Sequence, residues 1–276
     1  MQASELIFQV IKGQVQDSEL IWTEQKSSLD LKGLSLAFVM CPRFISKKIV
    51  AHTTSVLPGW TFQNWTLDRL VRVFFLSLMA EKSNDAQTYT HQMNLLFDTA
   101  EMNEAVALYS AMPVFSHGDK WLLRATDAVR SNIGIVFDAI AFGNPYPATY
   151  FPELAWNQLV LKCIFNDKPI HPIFRLMERN NPALVQTLSD FAHERWAAGR
   201  RVPSQVWRLY SPYLNETLVQ DIDYLLSHQD PNDVLAGTLV LQESNFSGAK
   251  ALQEKYGIQA NKDLSWAPLE NPEPIY

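Results

Sequence analysis

Two cysteines, Cys41 and Cys163, are all that the 276 residues contain. They stand far apart and form no CxxC pair, so their spacing argues against a structural zinc site. Two buried thiols in a reducing cytoplasm are the expectation. Histidine is equally sparse, with six residues scattered along the chain and no HExxH. Neither a metal nor a cofactor is therefore expected. Positive charge is short as well, at 23 Lys+Arg against 29 Asp+Glu, a net charge of −6. Without a basic stripe to meet phosphates, a nucleic-acid partner is disfavoured. Long apolar runs are missing too. The most apolar stretch, LSLAFVMC from Leu34 to Cys41, is too short to span a bilayer. The N-terminus lacks a basic segment followed by an apolar run, so no signal peptide is expected, and any membrane role would pass through a partner. Finally, no run of alternating β-branched or aromatic residues lies between turn signals, which excludes a sheet as the organising element.

What remains is helical. Hydrophobic residues make up 47% of the chain, enough to bury a sizeable core. Leu67, Leu70, Val71, Phe74, Phe75 and Leu78 recur at three- and four-residue steps behind Thr66, a candidate N-cap. Asn84-Asp85 opens a second pattern. MNEAVALYSAM and WLLRATDAVRS carry two more. Asn181-Pro182 and Asp230-Pro231 each join a cap to a first-turn proline, Asn215 opens ETLVQDIDYLLSHQ, and Gly199 supplies a helix stop. The expectation is an all-α chain, 1–276 as a single domain, of roughly twelve helices in antiparallel pairs. Such pairs can stack as a HEAT-like superhelix, although no clean repeat is visible. Two segments read as irregular. One is His52 to Trp65, where Trp60, Phe62 and Trp65 would pin a loop. The other is the tail from Trp266, where Pro268, Asn271, Pro272 and Pro274 oppose a helix.

Polar residues in apolar surroundings are the candidates for function. Residues 121–210 hold 10 Lys+Arg against 7 Asp+Glu, the reverse of the rest of the chain, which suits an anionic ligand or reflects scatter. In RSNIGIVFDAIAFGNPYP, a helix from Ala125 to Phe142 would set Arg130, Gly134 and Asp138 on one line. The arginine would then clasp Asp138 or hold a ligand, and Asn144 to Pro147 would form a stiff turn containing Tyr146. Asn157 lies in the interior phase of PELAWNQLVLKCIFN and must find partners, in the turn's backbone or in a cavity. Asp190, His193 and Glu194 cluster beside Arg195. They read as a surface network rather than a metal site, since His171 is the only distant histidine placed to complete one. The ligand-site expectation is thus Arg130, Asp138, Asn144, Tyr146, Asn157, His193 and Arg195.

EAVALYSAMPVF, RSNIGIVFDAIAFGNPYP, ELAWNQLVLKCIF and NPALVQTLSDFAHERWAAGR, in this order and spacing, resemble the EboA family of bacteria over about residues 104–207. The resemblance implies a place in a gene cluster of cyanobacteria, Bacteroidetes and other bacteria. Its other members resemble a ubiquinone-type prenyltransferase, a TatD-like hydrolase, a dehydroquinate-synthase-like protein, a sugar-isomerase-like barrel and a phosphodiesterase. It also implies work in making or exporting a small metabolite, with precursors moved to the periplasm. It implies no reaction and supplies no catalytic residue. The functional expectation is a cytoplasmic, non-catalytic binding or scaffolding protein of that pathway. Its partners would be a small anionic or aromatic metabolite and the other proteins of the cluster. The alternative is an enzyme using Asp138 or His193 as acid–base and Arg130 or Arg195 to hold an anion.

Overall fold

The computed structural model describes residues 2–51, 56–83, 85–228 and 230–270. Among these residues there are fourteen α-helices, six short 3-10 helices and no strand. Two isolated bridges, Ile49 with Thr66 and Leu57 with Trp60, are the extended pairings described. The chain divides into two compact units, Met1–Trp156 and Asn157–Tyr276.

In the first unit the helices are α1 (Ala3–Lys12), α2 (Asp17–Ser27), α3 (Leu31–Met40), α4 (Leu67–Lys82), α5 (Ala86–Thr99), α6 (Met102–Ser110), α7 (Leu122–Arg130), α8 (Gly134–Ala141) and α9 (Tyr146–Tyr150). The division falls within α10 (Glu153–Phe165). The second unit goes on with α11 (Pro182–Ala197), α12 (Leu218–Ser227), α13 (Pro231–Glu243) and α14 (Ala249–Tyr256).

Helix α4 is the centre of the first unit. It packs against α1, α3 and α6, and apolar residues on all its faces are buried, from Leu67 and Leu70 through Phe75 to Met79. A helix apolar all round belongs in a core, and it takes its charged members inside with it. Asp68 and Arg72 are buried, as is Glu104 of α6. Arg72 lies 3.5 Å from Asp68 and 3.7 Å from Glu104, and its Nε donates to the Phe38 carbonyl at 3.1 Å. In the second unit α13 has the central place, burying Ala236 to Leu241 against α12, α14 and the 3-10 helix Ser204–Leu209.

Most start and stop signals act as read. Asp85, Asn181 and Asp230 cap α5, α11 and α13 with their side chains, while Asn84 lies outside the described residues. Asn215 Oδ1 accepts from the Thr217 and Leu218 amides at the entry to α12. Thr66 occupies the N-cap of α4, but its hydroxyl makes no capping bond. Trp60, Phe62 and Trp65 are all buried and touch one another, with ring centroids 4.7–6.3 Å apart, so they do pin their loop; residues 52–55 lie outside the described residues. The tail departs from expectation. Ala267–Leu269 forms a 3-10 turn, with Pro268 in the first turn where its missing N–H is not needed. Asn271, Pro272 and Pro274 lie outside the described residues.

The largest departure is the stretch from Ala125 to Phe142. It is two helices, not one. Ser131 turns extended after α7 (φ −60°, ψ 138°), and its hydroxyl accepts from the Ile133 amide at 3.1 Å. A short polar side chain that bonds its own backbone competes with helix continuation, and here it wins. The second stop does hold. Gly143 has φ +55° and its carbonyl accepts from the Thr61 amide at 3.1 Å, and a Cβ there would meet Thr61 Oγ1 at 2.2 Å. The conformation and the close approach both require glycine.

Candidate functional site

In the first unit the singled-out residues separate. Arg130 is exposed and pairs with Asp127 on its own helix. The break at Ser131 removes the line that would have joined it to Asp138, so the expected clasp is not formed. Asp138 is half-buried on α8, where its charge favours the protonated form of Arg69. Asn144 is fully employed: its amide donates to the Tyr109 and Ala139 carbonyls at 3.0 and 2.9 Å, and its Oδ1 accepts from the Tyr146 amide at 3.0 Å. Tyr146 is buried, its hydroxyl donates to the Gly118 carbonyl at 2.6 Å, and burial pushes the phenol's pKa up. The Asn144–Pro147 stretch thus opens α9 instead of ending in a bare turn.

In the second unit Asn157 finds its partner in the Asn181 side chain. The two amides bond reciprocally, at 3.1 and 2.8 Å, while Asn181 Oδ1 also caps Leu184. Asp190, His193 and Glu194 do not act as one network with Arg195. Asp190 accepts from Gln186 at 3.1 Å, Glu194 is exposed, and Arg195 Nε donates to the Arg201 carbonyl. His193 turns to a residue not anticipated, Asp221 of α12, with Nε2 2.7 Å from Oδ1.

Asp221 is buried. Its other oxygen accepts from Ser189 at 2.7 Å and from the Tyr210 hydroxyl at 3.2 Å. Burial, and then the adjacent carboxylate, hold the Tyr210 phenol well above its ordinary pKa. With its proton on Nε2, His193 donates to Asp221 and keeps Nδ1 unbonded among the described residues; its side chain is 57% exposed. Serine, histidine and aspartate meet here, yet the serine bonds the aspartate and not the histidine, so this is no nucleophilic triad.

Beside this dyad lies a cleft of about 280 Å³, lined by Trp196, Arg200, Arg201, Tyr224, His228 and Asp233 among others. The end of α11 builds one wall. The Arg200 amide reaches back to the Arg195 carbonyl at 2.8 Å and the Gly199 amide to that of Trp196 at 2.9 Å, with Gly199 at φ +67°. This double closure is the Schellman arrangement. It sends Arg200 and Arg201 out past the helix end, and Arg195 fixes the Arg201 carbonyl from below. The floor is aromatic. Trp196 is stacked on Trp207 with centroids 5.6 Å apart, and its ring lies 4.2 Å from that of Tyr224, which lies 4.2 Å from that of His228. The His193 ring adjoins Trp196 at 5.7 Å.

The cations differ in state. Arg201 is bonded to Asp230 at 2.8 Å, whereas the Arg200 side chain is exposed with no partner among the described residues. Asp233 lines the same cleft, where burial raises its pKa and the Ser204 hydroxyl donates to it at 2.8 Å. An aromatic floor of tilted rings with one uncommitted guanidinium at its edge can hold a planar ring against one of them and pair a single negative charge. Among the described residues, no group of three or more His, Cys, Asp or Glu side chains is placed to hold a metal ion, and no helix is long and apolar enough to cross a membrane.

The family model for EboA, described as a metabolite traffic protein, matches residues 3–211. No curated protein and no solved structure matches the chain.

Proposed function

The chain belongs to the EboA family of metabolite traffic proteins, and from that premise we propose that it is a non-catalytic carrier of a small aromatic anion. Its ligand would lie in the cleft at the ends of α11 and α12. The ring would rest against Trp196 and Tyr224, and the charge would meet Arg200. Among the residues singled out in the sequence, Arg195 serves by holding the loop that carries Arg200 and Arg201, and His193 extends the aromatic floor. The observation that carries this reading is the unpaired Arg200 beside a run of ring-on-ring contacts. In the pathway, the carrier would hand a precursor on to the other proteins encoded in its cluster before export. The buried, unbridged Cys41 and Cys163 fit a reducing compartment.

Titration with 2-naphthoate and with cyclohexanecarboxylate checks the proposal. Naphthoate should bind saturably and more tightly than the saturated acid. Trp196→Ala and Arg200→Ala should each weaken it about five- to tenfold, the worth of one stacking or cation contact. Binding unchanged by both substitutions would remove the cleft from the function.

One observation favours an enzymatic reading, the 2.7 Å contact between exposed His193 and buried Asp221. There Asp221 would orient the ring and Nδ1 would take a proton from a substrate seated on Trp196. His193→Gln would then abolish turnover of the native metabolite while naphthoate binding persisted.

A further inference from the structure

Two arginines stand three residues apart on α4 and are treated differently. Arg72 is fully occupied by Asp68, Glu104 and the Phe38 carbonyl. Arg69 is clamped but not used up. Its Nε donates to Ser110 Oγ at 2.9 Å, and its guanidinium lies over the Trp65 ring, 4.0 Å from the centroid. The clamp is itself held. The Ser110 hydroxyl donates to the Val106 carbonyl, and Trp60 Nε1 donates to the Ser110 carbonyl at 2.9 Å. Arg69 retains only intermediate exposure, and its two terminal amino groups have no hydrogen-bond partner among the described residues. A guanidinium fixed at Nε and on one face, with its end fork open, is arranged to receive two oxygens of one anion. Leaving that fork partly desolvated and unpaired is otherwise unfavourable.

We propose that Arg69 is the anion-holding residue of a second ligand site, in the unit Met1–Trp156, and that this site takes a small monocarboxylate. The carboxylate would bond the two terminal amino groups end-on, with Trp65 covering the guanidinium. The surroundings select for low charge. Asp138 and Asp68 both act on Arg69 electrostatically, so a phosphate or a dicarboxylate would meet more repulsion than a single carboxylate does. Burial lowers the pKa of Arg69 to about 9, against the pull of those two carboxylates, and the group stays charged at neutral pH. The site draws on none of the cleft residues, so its failure and that of the carrier reading are distinguishable.

The test is nitrogen-detected NMR of the Arg69 side chain in the full chain at mildly acidic pH, with the Nε–H signal assigned by its disappearance in Arg69→Lys. Acetate should move this signal saturably, and inorganic phosphate at equal ionic strength should move it less. In Ser110→Ala the charge remains but the clamp is gone, and acetate should bind about five- to tenfold more weakly. That variant carries the test if Arg69→Lys does not fold, since the signal can then be assigned by its shift when Ser110 is changed. A displacement under acetate no larger than under chloride would overturn the proposal. So would an unchanged acetate affinity in Ser110→Ala, or a preference for phosphate.

Discussion

Asp221→Ala should cost the chain about 3–5 kcal/mol of stability, far more than an ordinary polar substitution. Asp221 is the common acceptor for Ser189, Tyr210 and His193. Ser189 and Tyr210 are themselves buried, so removing the carboxylate strands two hydroxyls away from water. Each orphan costs on the order of 1–3 kcal/mol. His193 contributes little to the loss because it is exposed and can turn to solvent. Urea titration, following helix content, should place the midpoint of Asp221→Ala well below that of Tyr210→Phe, which removes one donor and leaves Asp221 two others. Equal midpoints would show that the carboxylate is not the keystone of this packing. The same comparison bears on the dyad. A residue kept only for structure should be rescued for binding when Asp221→Ala is studied at low temperature, where the fold persists.

Arg72→Met is expected to be as severe, at about 3–5 kcal/mol, for a different reason. It would leave Asp68 and Glu104 buried near one another without their shared cation. Asp68 already has one oxygen with no hydrogen-bond partner, so it has no reserve of contacts. Replacing all three residues by apolar ones of similar volume should restore much of the loss, because two buried carboxylates and a guanidinium give back most of their attraction as desolvation. Thermal unfolding of the single and triple variants decides this. A triple variant no more stable than Arg72→Met would mean that the charges are needed for something beyond mutual neutralisation.

The sequence made some of this visible and hid the rest for definable reasons. Helices announce themselves through period and caps, and Asn181-Pro182, Asp230-Pro231 and Gly199 all act where they were read. The break at Ser131 was masked because Ile133, Val136, Phe137 and Ile140 continue an apolar phase across it. The signal lay in Ser131-Asn132, two residues that favour bonding their own backbone. The buried place of Asp221 is legible in DIDYLL, which sets it at apolar positions with Leu218, Ile222 and Leu225. A carboxylate in that phase must meet donors. Likewise, a helix as uniformly apolar as α4 forces Asp68 and Arg72 inside, so both could have been named as a buried pair. Arg130 misled because a charge next to a hydrophobic run does not reveal which side of the helix end it leaves from. Which side chains gather around Trp196 could not be read at all, since α11, α12 and the loop after Gly199 meet only through folding.

The central claim is that the cleft beside Trp196 and Arg200 holds a small aromatic anion. Mass spectrometry of small molecules released from the chain purified from its native host, beside Arg200→Ala purified in parallel, tests it most directly. The expected result is an anionic aromatic compound released in near-equal amount to the protein, and reduced about five- to tenfold from the variant. Release of the same compound in equal amount from both proteins, or of no such compound from either, would contradict the assignment.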